Sequence, residues 1–185
     1  MLFRSPLFYV SPLQINFQVP WISIAKPTQF PLLITQGEGL TLLSFMLTPY
    51  APALFTANGQ GSGQASAIIS NTMSLAAPAG AYPGSRPAKP GEFILLYCTG
   101  LGAVTNQPAA GDVSPSSPPA ATVAIPTLTL GGVSVPVSFS GMAPGFVGLY
   151  QVNFQIPATA TSGNAVTVIL QIGGVSSNTA TIAIQ

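Results

Sequence analysis

The chain contains one seven-residue phrase twice, and this repeat constrains its fold more than any other feature. Residues 14–20 read QINFQVP and residues 151–157 read QVNFQIP. In each copy polar amides alternate with apolar residues and a proline closes the phrase. This period-2 pattern is typical of a β-strand with one buried face and a proline stop. The repeat therefore predicts two related β-structured units.

The segments that follow the two phrases are also alike. After Pro157 come a small-residue turn, the strand AVTVILQI, a Gly-Gly turn at residues 173–174 and a last strand over 178–184. After Pro20 come a turn region, the strand FPLLITQ, a turn at residues 37–39 and the strand LTLLSFML. Two copies of a strand–turn–strand–turn–strand unit indicate an internal repeat.

The two copies differ in what precedes them. Residues 89–185 hold about seven strands, the size and rhythm of a complete immunoglobulin-like sandwich. Residues 1–49 have only PLFYVSP before the phrase and predict an incomplete immunoglobulin-like unit. The Gly/Ser/Ala/Pro-rich residues 50–88 predict a linker, with a short strand over 67–70. The expected fold is all-β, with two immunoglobulin-like β-sandwich units, the first lacking its N-terminal strands.

Several segments resemble a known family. LFYVSPLQINFQVPW, PAKPGEFILLYCTGLGAVT, VGLYQVNFQIP and GGVSSNT closely resemble the Solibacter-type C-terminal domain, a family at the ends of large secreted proteins of acidobacteria that has no assigned activity. KPGEFILLYCTGLG is similar to the IPT/TIG branch of immunoglobulin-like domains. The resemblance implies an extracellular or cell-surface location.

Charge is unusually sparse, and this limits the partners. Only 4% of residues are charged, against about 25% in ordinary soluble domains. A net charge of +1 provides no basic surface for nucleic acid. No apolar run of about 18 residues is free of interruptions, so membrane insertion is not expected. Low charge suits a chain that associates with itself, or a secreted domain with an uncharged polar surface.

No residue pattern indicates a catalytic or metal site. The chain has no His, which excludes Ser-His-Asp and Cys-His arrangements. The three acids, Glu38, Glu92 and Asp112, are scattered through predicted turns. The sequence predicts a protein that is not an enzyme and has no cofactor. Cys98, in the run FILLYC, is expected to be buried, with an intermolecular disulfide as the alternative.

An incomplete sandwich exposes unpaired backbone groups and apolar core. Its missing strands would come from upstream sequence, from the linker, or from a neighbouring copy by strand complementation, in which one molecule's strand completes another's sheet. The last option predicts an extracellular structural or adhesion module that self-associates into a filament or surface polymer. The expected inter-subunit strand contacts are Leu7, Phe8, Tyr9, Val10, Ile15, Phe17 and Val19.

The alternative function is a carbohydrate- or polymer-binding accessory module of a larger secreted protein. Trp21, Tyr50 and Tyr82 are the candidate stacking residues, although a lone Trp also suits a lid over the core. The expected partners are copies of the chain and surface or matrix polysaccharide. The Gln and Asn faces of the two phrases suit solvated strand faces, or polar ladders between stacked copies.

Overall fold

Every regular element of the protein is a β-strand in the computed structural model, which describes residues 4–185. The all-β prediction is confirmed, and the sheets form two units. Residues 1–3 of the predicted first unit lie outside the described residues. The first unit holds two hairpins. Their strands are β1 (Leu7–Val10), β2 (Ile15–Phe17), β3 (Thr28–Gln36) and β4 (Gly39–Leu47).

The second unit is a sandwich of two five-stranded sheets. In one sheet the order is β10-β11-β7-β5, and β6 also pairs with β7. In the other the order is β13-β12-β8-β9, and β14 also pairs with β12. The strands are β5 (Ala53–Leu54), β6 (Ala67–Ile69), β7 (Phe93–Thr99), β8 (Thr127–Leu130), β9 (Val133–Val135), β10 (Val137–Met142), β11 (Tyr150–Gln155), β12 (Gly163–Ile172), β13 (Val175–Ser176) and β14 (Ala180–Ile184).

The core lies between these two sheets. Alternate residues of each central strand point inward, as the period of a strand requires. Leu96 of β7 and Phe154 of β11 are fully buried on one side, and Leu128 of β8 and Leu170 of β12 are fully buried on the other. Buried residues of both sheets form one hydrophobic cluster. Trp21 and Tyr50, which precede the first strand of the sandwich, pack against this cluster.

The segment 50–88 differs from the expected linker, because it is part of the sandwich. β5 and β6 both pair antiparallel with β7, and β6 occupies the place of the expected short strand. The amide of Thr181 donates to the Gly63 carbonyl (2.8 Å), and that of Ala88 donates to the Ala183 carbonyl (2.8 Å). Five alanines of this segment are fully buried, and their small side chains let the backbones pack closely. Those with no exposed surface are Ala65, Ala67, Ala76, Ala77 and Ala88.

The long hairpin β3–β4 stands apart from both sheets of the sandwich. Its nine strand pairs run from Thr28↔Leu47 to Gln36↔Gly39. The two-residue loop between them begins with Gly37 at a φ of 56°, which is the geometry of a type II′ turn with glycine at its first position. Within residues 4–185 no third strand pairs with β3 or β4, so both edges of this sheet are open.

Candidate functional site

The internal repeat extends to the register of the paired strands. β1 pairs with β2 through Leu7↔Phe17, Tyr9↔Asn16 and Val10↔Ile15. β10 pairs with β11 through Val137↔Phe154, Phe139↔Asn153 and Ser140↔Val152. Both hairpins have a β-bulge after their first pair. The repeated phrase therefore occupies the same position, beside the same kind of bulged strand, in both units.

The two copies differ at the other edge of the repeated phrase. In the second unit β11 is a central strand, because β7 pairs with it over six residues. In the first unit β2 pairs with β1 alone among residues 4–185. The amide of Gln18 donates to the Pro6 carbonyl (2.9 Å) on the β1 side. Because backbone groups alternate along an antiparallel strand, those of Ile15, Phe17 and Val19 point to the open side.

A cleft of about 1300 Å³ lies beside the β1–β2 hairpin. All residues from Gln14 to Ile24 line one wall, and the end of β4 with the following segment 48–51 lines another. The third wall belongs to the sandwich and includes Gly100, Gly102 and residues 147–150. No charged side chain lines the cleft. The arrangement suits an uncharged occupant with apolar groups and hydrogen-bonding groups in alternation.

Gln18 anchors the β1–β2 hairpin to the sandwich. Its side-chain Oε1 accepts a hydrogen bond from the Gly111 amide (2.8 Å), and the residue is 9% exposed. The prediction of a solvated strand face is wrong for Gln18. The period-2 pattern predicts on which face of the strand a side chain lies. It does not predict which distant loop packs against that face. Nothing in the local sequence signals the contact with Gly111.

The predicted strand-contact residues are exposed except for the half-buried Phe17, and only some of them meet at the cleft. Phe8, Ile15, Phe17 and Val19 line it. Leu7, Tyr9 and Val10 do not line it, and each is more than half exposed. Their exposure on a two-stranded sheet leaves them accessible to a neighbouring molecule.

Two of the three predicted stacking residues also meet at the cleft. Trp21 and Tyr50 both line it and pack against the hydrophobic core. Trp21 Nε1 is buried without a hydrogen-bond partner. The Tyr50 ring lies so close to Gly173 that a Cβ at that glycine would be 2.2 Å from Tyr50 Cδ2. Tyr82 lies elsewhere, in a turn where its amide donates to Ser85 Oγ (3.0 Å).

The charged groups of the described residues lie outside the cleft. Arg86 and Glu92 form a two-pronged salt bridge, with nitrogen–oxygen distances of 2.7 and 2.9 Å. The hydrogen bond from Arg86 lowers the pKa of Glu92 to about 2, and a further bond from the Lys89 amide acts in the same direction. Residues 4–185 contain no group of three or more His, Cys, Asp or Glu side chains that could hold a metal ion.

Cys98 of β7 and Tyr150 of β11 are directly paired across the two strands, and both are buried. Cys98 has no exposed surface, and burial raises the pKa of its thiol. Burial also raises the pKa of Tyr150, whose hydroxyl donates a hydrogen bond to the Gly102 carbonyl. The hydroxyl therefore fixes the Gly100–Gly102 turn that forms part of the cleft wall.

In the part of the chain that the structure describes, no helix has the length and hydropathy needed to cross a membrane. No protein-family model, no curated protein and no solved structure matches the chain.

Proposed function

We propose that the chain is a non-enzymatic extracellular structural or adhesion module that self-associates into a filament or surface polymer by strand complementation. The observation that carries this proposal is the β3–β4 hairpin, a two-stranded sheet with open edges. A hairpin alone is marginally stable in water and needs further strands or a packing partner. A second molecule would provide them.

The hairpin exposes apolar side chains on both faces. Leu40, Leu42 and Met46 of β4 are 69%, 67% and 57% exposed. Leu33 lies on the same face, since it is paired with Leu42, and Leu43 is half exposed on the opposite face. Contiguous exposed apolar surface of this kind marks an interaction site. Natural edge strands are usually protected by charges, and neither β3 nor β4 contains one.

The sparse charge of the chain supports the same proposal. Net charge keeps copies of a protein apart, and here it is +1 over 185 residues. The sequence also has no His to serve as a catalytic base or metal ligand. The extracellular location and the membership of the Solibacter-type family are parts of the proposal that rest on the resembling segments.

The test is the assembly state of the wild-type chain, measured by light scattering and negative-stain electron microscopy over a range of concentrations. We expect regular polymers. Leu42→Asp should prevent them, because it places a charge on the open edge. Val123→Asp is the matched control, since Val123 is also 67% exposed but lies in a loop of the second unit. Monomers at every concentration would contradict the proposal.

A second candidate function is the binding of a neutral polysaccharide in the cleft. It is supported by the position of Trp21 and Tyr50 in one uncharged cleft, because aromatic faces with nearby amides suit sugar rings. Titration with neutral polysaccharides should then show binding that Trp21→Ala weakens at least tenfold. Tyr82→Ala, outside the cleft, should leave binding unchanged. Equal affinity of the wild type and Trp21→Ala would rule this candidate out.

A further inference from the structure

We propose that the open edge of β2 accepts β4 of a second copy, in the place and direction that β7 takes beside β11. This inference rests on the proposed self-association and specifies its two contact surfaces. It identifies an acceptor strand, which lines the cleft, and a donor strand, which lies on the exposed hairpin.

The acceptor follows from the repeat. The β1–β2 and β10–β11 hairpins share their register and their bulge, so β2 corresponds to β11. β11 has an antiparallel neighbour, β7, on its other side. No strand of the described residues pairs with the same side of β2, and all residues of β2 line the cleft. The missing neighbour of β2 is therefore an antiparallel strand that brings apolar side chains against Ile15, Phe17 and Val19.

The donor follows from the turn of the long hairpin. In a two-residue hairpin the residues that close the loop, here Gln36 and Gly39, form a hydrogen-bonded pair. Counting along β4 from this pair, every second residue directs its amide and carbonyl away from β3. These residues are Leu40, Leu42, Ser44 and Met46. The free edge of β4 thus offers four donors and four acceptors.

The free edge of β3 is the poorer donor. The same count directs the backbone groups of Gln29, Pro31, Leu33 and Thr35 outward. Pro31 has no amide hydrogen, and proline at this position is a device that blocks pairing at an edge. β4 is therefore the strand of this hairpin that can complete another sheet.

Side-chain directions match across the proposed contact. Residues directly opposite each other in an antiparallel pair have side chains on the same face. On β2 the residues with outward backbone groups are apolar, and on β4 three of the four are apolar and more than half exposed. Placing Leu42 opposite Phe17 sets Leu40 opposite Val19 and Ser44 opposite Ile15. In this register the two most exposed leucines of β4 enter the apolar side of the cleft.

A second copy is the occupant that fits these properties. Neither edge carries a charge, so identical molecules meet without repulsion. A nine-residue strand entering a cleft buries on the order of 1000 Å², about the lower limit for a specific interface. Each copy carries one acceptor edge and one donor edge, which makes the contact head-to-tail and able to propagate.

The test uses charge pairs at the two opposed exposed positions, Ile15 and Ser44. Ile15→Lys alone and Ser44→Glu alone should each raise the concentration needed for assembly about tenfold or more, because each places an unpaired charge in the new sheet. The double variant Ile15→Lys with Ser44→Glu should restore assembly. The matched control, Ile15→Lys with Ser44→Lys, should not. Circular dichroism of the dilute variants verifies that the sandwich is folded.

The outcomes separate this inference from the proposed function. A wild type that assembles while the single variants assemble equally well would overturn the β2–β4 contact and leave self-association standing. Disruption by the single variants without rescue in the double variant would also overturn the contact. A wild type that remains monomeric would overturn both proposals.

Discussion

The side chain of Asn178 joins the start of the sandwich to its end. Its Oδ1 accepts a hydrogen bond from the Leu54 amide (2.7 Å). Its Nδ2 donates to the carbonyls of Leu54 (3.1 Å) and Gly61 (2.7 Å). These bonds hold β5 and the loop that follows it to the segment before β14.

We expect Asn178→Ala to lower the free energy of unfolding by about 2–3 kcal/mol, because it leaves partly buried backbone groups of Leu54 without partners. Urea unfolding monitored by fluorescence gives this value. Thr179→Ala, at the exposed neighbouring position, is the control and should change stability by less than about 0.5 kcal/mol. Equal effects of the two substitutions would show that the Asn178 contacts do not stabilise the fold.

The Arg86–Glu92 pair predicts a loss of stability in acid. Because the folded pKa of Glu92, about 2, lies below its ordinary value of 4.5, the carboxylate stabilises the fold above pH 4.5. That contribution disappears as the pH falls from about 4.5 to about 2. Both side chains are about one-third exposed, so solvent screening limits the effect to roughly 1 kcal/mol.

Thermal unfolding between pH 2 and pH 6 measures this contribution. The melting temperature of the wild type should fall through that range, and that of Glu92→Gln should fall less. Glu38→Gln, at the exposed tip of the long hairpin, should behave as the wild type. A Glu92→Gln variant with the full acid dependence would contradict the assignment.

The roles of some of these residues could be predicted from the sequence, and the roles of others could not. The burial of Cys98 could be predicted, because it lies in an apolar strand run. The anchoring role of Gln18 and the three bonds of Asn178 could not, since both residues meet partners roughly a hundred positions away along the chain. A pattern of local periodicity carries no information about such contacts.

At the scale of elements, period-2 alternation and glycine turns correctly predicted the hairpins and β12. A short strand was expected over 67–70, but the sequence did not indicate that β6 pairs with β7. β5 has only two residues, too few to establish a period. Alanines among glycines and serines are typical of linkers. In this segment the small alanine side chains instead allow neighbouring backbones to pack closely.

Overpacking tests whether the segment 50–88 belongs to the core. Ala67→Leu should lower the free energy of unfolding by about 1–3 kcal/mol, because Ala67 is fully buried and a larger side chain must displace its neighbours. Ala79→Leu lies in the same segment at an exposed position and should be nearly neutral. Chemical unfolding measures both variants. If Ala67→Leu leaves the free energy of unfolding unchanged, the segment is better described as a linker than as part of the sandwich.

At the scale of the whole molecule, the second unit is a complete sandwich, and the first unit repeats only some of its strands. The second unit has neighbours on both sides of its central strands, whereas β2 has one neighbour and the β3–β4 sheet has open edges. The sequence predicted this asymmetry from the repeat. It did not predict that Ile15, Phe17 and Val19 would line the same cleft as Trp21 and Tyr50, because the sandwich contributes one of its walls.

Amide hydrogen–deuterium exchange of the wild-type chain, below and above the concentration of assembly, tests the central claim most directly. Strand complementation predicts that the amides of Ile15, Phe17, Leu40 and Leu42 exchange rapidly in the monomer and about 100-fold more slowly in the assembled state. The amide of Leu43, which points toward β3, should be slowed in both states. Assembled material in which the open-edge amides of β2 and of the β3–β4 hairpin stay as fast as in the monomer would contradict the account.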